Sequence, residues 1–254
     1  MIEEPFAQGD SPLHRIDPRF RLVAAVGFSL VVAVSHHFST LAGGLVIAGA
    51  LLFAARLDPL PVLRRLWVIT KLLAFLWIIL PLTVPGADYY QLGSLAISQP
   101  GVTLALQISL RSLAIPAFFI ALVATMNFSV LGHALKSLLL PDKLVHLLLF
   151  TYRYIFVIEQ EYRRLLRAIR VRGFQPRTNL HTYQTIAYLV AMLFVRAAAR
   201  SERVEQAMRC RGFAGRFYCL VDYPAHPRHR RFAITMSLLI SGLALLEWGK
   251  IIPL

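Results

Sequence analysis

Arginine offers the most chemistry in this sequence, and it recurs in a pattern. Residues 168–174 read Ala168-Ile169-Arg170-Val171-Arg172-Gly173-Phe174, and residues 207–213 read Ala207-Met208-Arg209-Cys210-Arg211-Gly212-Phe213. Five of these seven positions are identical, and Arg172 and Arg211 stand 39 residues apart. A guanidinium is a planar fork that binds a carboxylate through two parallel hydrogen bonds and keeps its charge when partly buried. Next to a phenylalanine it makes a charged prong with an apolar anchor. Basic residues in a last helical turn, followed by glycine, are also ordinary C-terminal capping. Capping needs only some basic residue and some glycine. Two near-identical endings on neighbouring helices therefore point to a shared docking task. The candidate contact residues are Arg170, Arg172, Gly173, Arg209, Arg211 and Gly212.

Other reactive side chains suggest less. Glu159, Glu161, Glu202 and Glu205 are flanked by arginines at helical spacing, the pattern of salt bridges on a wet face. An acid–base carboxylate pair needs an enclosed site instead. The histidines (His14, His36, His37, His133, His146, His181, His226, His229) are scattered, without a metal-ligand spacing, and read as surface or packing residues. Cys210 and Cys219 form neither a metal knuckle nor a disulfide framework and read as ordinary thiols. Arg111 falls near the middle of an apolar run, where a charge is costly and functional by default. The preferred reading is that it bonds backbone carbonyls in a helix bundle or faces a partner. No acidic residue is placed at its depth, with Glu247 near the outer end of the last apolar run. That absence argues against a stand-alone proton- or sodium-coupled carrier, and the lack of a polar cluster at a defined depth argues against a membrane-embedded enzyme. No G-x-x-x-x-G-K-[ST] phosphate loop occurs, so no ATP site, catalytic residue, metal ligand or cofactor is assigned to this chain.

The elements that must position the arginines are helices. The chain is 57% hydrophobic and only 16% charged, with mean hydropathy +0.61, which predicts an all-α polytopic membrane protein. Its net charge of +14 comes without any nucleic-acid-binding signature. It fits basic residues gathered on the cytoplasmic side of a membrane. Apolar runs at 22–34, 41–55, 66–84, 102–125 and 232–248 predict about five transmembrane helices. The loops at 35–40 and 85–101 lack lysine and arginine and are expected outside; the N-terminus and 56–66 carry arginine and are expected inside. This divides the chain into residues 1–125, a cytoplasmic segment 126–231, and a last span 232–254. The middle segment holds 18 of the 27 lysines and arginines. Apolar stretches at 144–158 and 183–195 are not taken as crossings, because six arginines between them would then lie outside. Apolar residues recurring at three to four predict two long amphipathic helices at 143–173 and 181–212. Their first halves are expected to touch lipid or other helices and their second halves to stand in water. A shorter helix is predicted over 130–140.

The two Arg-Gly endings on such helices resemble the transmembrane coupling (T) component of energy-coupling-factor transporters, most of all the cobalt-type CbiQ family. That family carries two short Ala-Arg-Gly-like motifs at the ends of its coupling helices. They correspond here to Val171-Arg172-Gly173 and Cys210-Arg211-Gly212, with valine and cysteine in place of the alanine. Ile16-Asp17-Pro18-Arg19 and Phe213-x-Gly215-Arg216-Phe217 also resemble the family. The resemblance implies a non-catalytic subunit of an importer in a bacterial or archaeal cytoplasmic membrane. It implies two ABC-type ATPase subunits that bind ATP and dock on Arg172 and Arg211, and a separate integral-membrane substrate-binding subunit. It implies cobalt(II) as cargo, with nickel or a vitamin as the alternative.

Overall fold

The structure is a computed structural model and describes residues 11, 13, 16–85, 88–92, 95–138, 140–213 and 227–249. Among them run α1 (Pro18–Val34), α2 (Phe38–Ala54), α3 (Pro59–Thr83), strands β1 (Asp88–Leu92) and β2 (Leu95–Ser98), α4 (Gln99–Leu122), α5 (Phe128–Ser137), α6 (Asp142–Val171), α7 (Leu180–Cys210) and α8 (Pro227–Trp248). The protein is an all-α polytopic membrane protein, apart from one antiparallel hairpin of β1 and β2 inside the expected 85–101 loop. Contacts divide the chain into two compact units. One is Glu4–Ala134 with Tyr223–Leu254; the other is centred on Leu135–Asp222.

Helix starts differ from the apolar runs because caps, not hydrophobicity, set them. Asp17-Pro18 and Asp58-Pro59 each place an aspartate at the N-cap and proline in the first turn. The Asp17 carboxylate accepts from Arg19 N at 2.9 Å. α1 therefore begins four residues before the apolar run at Leu22, and α3 begins seven before Leu66, which takes Arg64 and Arg65 into the helix. α8 likewise starts at Pro227 and includes Arg228, Arg230 and Arg231. α4 begins at Gln99 and ends at Leu122, and α5 covers Phe128–Ser137. α3, α4, α7 and α8 are long and apolar enough to cross a bilayer, while α1 and α2 have 17 residues each.

In the larger unit α1 lies against α4, α2 and α8, and α4 also contacts α2 and α3. The Phe28 and Phe118 rings stack at 3.8 Å between α1 and α4. A Cβ on Gly44 would meet Val32 at 3.2 Å, so this glycine brings α2 close to α1, as small residues do in membrane bundles. Trp67, Val68, Leu72, Phe75 and Ile78 of α3 are exposed, as suits a lipid-facing surface.

Two arginines bind the C-terminal ends of α4 and α1 to the neighbouring helix. Arg21, nearly fully buried on α1, donates to the Leu122 carbonyl at 2.5 Å and to Thr125 Oγ1, at the end of α4. Arg111 of α4 donates to the Ser35 carbonyl at the end of α1. Arg111 thus bonds a backbone carbonyl in the bundle, the preferred sequence reading. Arg21 lies just before the apolar run at 22–34, and its place one turn inside the Asp17 cap buries it. Each arginine brings positive charge to a negative helix end whose carbonyls lack intrahelical donors.

Gly101 marks the closest backbone approach. A Cβ there would sit 2.6 Å from the Leu80 carbonyl oxygen and 2.8 Å from Pro81 Cα. Gly101→Ala should therefore destabilise the unit by about 1–3 kcal/mol, the usual cost of overpacking. Gly49→Ala, where no atom lies within 4 Å, should be neutral or mildly stabilising. Thermal unfolding in detergent checks the pair, and equal midpoints for both variants would contradict the packing.

Candidate docking site

α6 and α7 carry the repeated arginines, and each is specified locally. α6 follows Pro141, and Asp142 in its first turn pairs with Lys136 at 3.3 Å. α7 starts at the Asn179 N-cap, whose side-chain oxygen accepts from Thr182 N at 3.0 Å. Glu159 pairs with Arg163 at 2.6 Å, and Glu205 with Arg209 at 2.5 Å, both one turn apart on exposed faces. Glu161 receives Arg164 at 3.8 Å and also Arg196 from the neighbouring helix. The expected salt bridges thus form for three of the four glutamates; Glu202 is exposed.

The Glu161–Arg196 bond locates where the two helices cross. On one side, Phe150, Tyr154, Val157 and Ile158 of α6 face Val204, Met208 and Phe213 at the end of α7, around a groove of about 630 Å³. On the other, the last turns of α6 lead through the short 172–179 connector into the start of α7. The helices therefore run back past each other. The apolar half of α6 thus lies beside the arginine-rich half of α7.

The same reversal puts the two arginine-bearing ends at opposite ends of the pair. Arg172 lies eleven residues beyond Glu161, and Arg211 fifteen beyond Arg196. At 1.5 Å per residue, the ends stand up to about 40 Å apart.

Both ends have the same backbone. Gly173 has φ +83° and Gly212 φ +75°. Phe174 N donates to the Ile169 carbonyl at 3.2 Å and Gly173 N to the Arg170 carbonyl at 3.0 Å. In the second copy, Phe213 N donates to Met208 O and Gly212 N to Arg209 O, both at 3.0 Å. This pair of bonds is the Schellman motif, which commonly sets an apolar residue two beyond the C-cap against one near the helix end. Ile169 with Phe174, and Met208 with Phe213, are half-buried among exposed neighbours. Capping thus accounts for more of the repeat than the sequence suggested, since the phenylalanine and the glycine both belong to the cap.

The arginines do not. The glycine closes the helix end, and among the described residues no guanidinium bonds the end carbonyls. Arg170, Arg172, Arg209 and Arg211 are all exposed. Among the described residues no carboxylate pairs with Arg170, Arg172 or Arg211, while Arg209 has only the exposed Glu205. Such surface pairs contribute a few tenths of a kcal/mol and readily exchange.

Cys210 is an exposed free thiol beside these arginines. Cys219, His14, His226 and the Gly215-Arg216-Phe217 segment lie outside the described residues. Among the described residues no three metal-ligating side chains come together. His229 Nδ1 accepts from Asp17 N at 3.1 Å. Sequence reasoning missed Glu247 as a buried group: it is 5% exposed and accepts from His36 N at 2.6 Å. Its partner lies 211 residues away, so no local signal could reveal it.

These features define a helical membrane protein whose second unit presents two identically built, arginine-bearing helix ends. The profile of the CbiQ family, described as cobalt transport protein, matches residues 9–219, and the chain belongs to that family. It is similar to the energy-coupling factor transporter transmembrane protein of Macrococcus caseolyticus, with 28% identity over 85% of each chain. The protein of the same name from Acidaminococcus fermentans is 25% identical over 95% of this chain and 94% of that one. That from Listeria innocua is 27% identical over 85% of each.

The caps make a direct prediction. Alanine at either left-handed glycine meets no steric neighbour, so its cost is that of the backbone conformation alone, about 1–2 kcal/mol. Gly173→Ala and Gly212→Ala should speed amide hydrogen exchange in their own last turns by roughly 5- to 30-fold. Unchanged protection would contradict the capping role.

Proposed function

We propose that this protein is the membrane coupling subunit of an energy-coupling-factor importer. Arg172 and Arg211, supported by Arg170 and Arg209, dock two separate ABC-type ATPase subunits that bind and hydrolyse ATP. The observation carrying this reading is a pair of matching Schellman ends at opposite ends of one crossed helix pair, with their arginines left unused by capping. A separation of up to about 40 Å suits two partner subunits better than one. Segment 126–231 and the N-terminus face the cytoplasm of a bacterial or archaeal cell in this reading, supported by the concentration of basic residues there. An integral-membrane substrate-binding subunit packs on exposed apolar positions of α6 and α7, such as Leu147, Ile155, Tyr183 and Ile186. Changes in the angle of the crossed pair relay ATPase motion to that subunit. The chain itself is non-catalytic and draws its energy from its partners.

The family description favours cobalt(II) as cargo. The names of the relatives specify no cargo, which keeps nickel or a vitamin as the second reading. Arg172→Ala with Arg211→Ala should reduce uptake to that of cells lacking the protein and release the ATPases on purification, with membrane levels unchanged. Normal uptake in that double variant would overturn the docking assignment. Uptake of labelled cobalt(II) against nickel(II) by the complete transporter decides the cargo.

A further inference from the structure

We infer that the α1–α2 reversal, Ser35-His36-His37, is held inside the membrane rather than at its outer surface, with Arg111 and Glu247 as the positioning residues. Every backbone polar group of these three residues is satisfied within the chain. Ser35 N donates to the Val31 carbonyl at 3.1 Å, and the Ser35 carbonyl accepts from Arg111 Nη2. His36 N donates to Glu247 Oε1 at 2.6 Å, and the His36 carbonyl accepts from Gln107 Nε2 at 2.8 Å. His37 N donates to the Glu247 carboxylate at 3.3 Å, and the His37 carbonyl accepts from Leu41 N at 3.2 Å. A turn in water has no need of three side chains from two other helices. A turn in hydrocarbon does, because each unpaired backbone group there costs several kcal/mol.

The charges are disposed to suit. Arg111 sits at the negative end of α1, and Glu247 at the positive end of α2, whose N-cap is His37. Arg111 Nη2 also lies 3.4 Å from His36 Nδ1. Two opposite charges thus flank one turn, although no direct ion pair joins them among the described residues.

Depth follows from helix length. α1 and α4 are joined at one end through Arg21 and Leu122. From Arg21 to Ser35 is fourteen residues, roughly 20 Å of a hydrocarbon layer about 30 Å thick. α4 continues past Gln107 for eight more residues, about 12 Å, before ending at Gln99, with β2 just before it. The reversal therefore stops short of the level that α3, α4 and the hairpin reach.

Thiol labelling tests this in the complete transporter. In a background of Cys210→Ser and Cys219→Ser, His36→Cys is compared with Gln99→Cys, at the exposed start of α4. A membrane-impermeant maleimide is applied to intact cells and to inside-out vesicles. On whichever face labels Gln99→Cys, His36→Cys should react at least tenfold more slowly; equal rates would overturn the inference. Because the comparison uses the face that Gln99→Cys reports, it stands whether or not the proposed orientation and docking hold. Arg111→Ala and Glu247→Ala should each raise His36→Cys labelling at least tenfold. Glu247→Gln, which keeps an acceptor, should restore protection. Full protection in both alanine variants would remove Arg111 and Glu247 from the positioning role, while the parent comparison decides the depth even if those variants fail to insert.

Discussion

A helix C-terminus leaves carbonyls that something must satisfy, and this protein does so in two ways. Within the larger unit, arginines from neighbouring helices close the ends: Arg21 of α1 serves α4, and Arg111 of α4 serves α1. Their charge is spent on backbone where water is scarce. On α6 and α7, glycines in the left-handed conformation close the ends, and the arginines of those turns are left exposed. The same residue type thus closes helix ends in one unit and stands exposed at helix ends in the other.

The crossed pair gives that availability a direction. A short connector sends α7 back past α6, so the two ends point away from each other rather than side by side. Glu161 and Arg196 hold the crossing, while the groove beside it is walled by apolar residues that reach the second cap at Met208 and Phe213. In the proposed reading, a crossed pair with a charged tip at either end converts rotation at the tips into a change of angle between apolar faces. That property, rather than any reactive centre, is what the arrangement offers a transporter.

Much of this was legible in the sequence. α6 and α7 lie within two residues of their predicted limits at every end, because a 3.6-residue periodicity and bracketing proline and glycine agree. The spans were misplaced by up to seven residues where an apolar run was taken as the helix; Asp58-Pro59 was the better signal. The β hairpin was missed although Gly93-Ser94 stands between two segments rich in tyrosine and aliphatic residues, a recognisable hairpin pattern. The crossing was implied by the short link but depends on which residues meet, and Glu161 and Arg196 are 35 apart. The pairing of Arg111 with Ser35, or Glu247 with His36, rests on contacts between distant segments that no periodicity encodes. The matching arginine-bearing helix ends were visible because their pattern is written twice.

The most direct measurement is photo-crosslinking from the caps themselves. A photoreactive amino acid replaces Val171 or Cys210, both exposed and each adjacent to an arginine proposed to dock, in membranes that contain the assembled transporter. The account predicts an adduct with an ATPase subunit from each position, and two ATPase copies on a chain carrying both. Adducts only within the chain itself, or none with the ATPases, would contradict it.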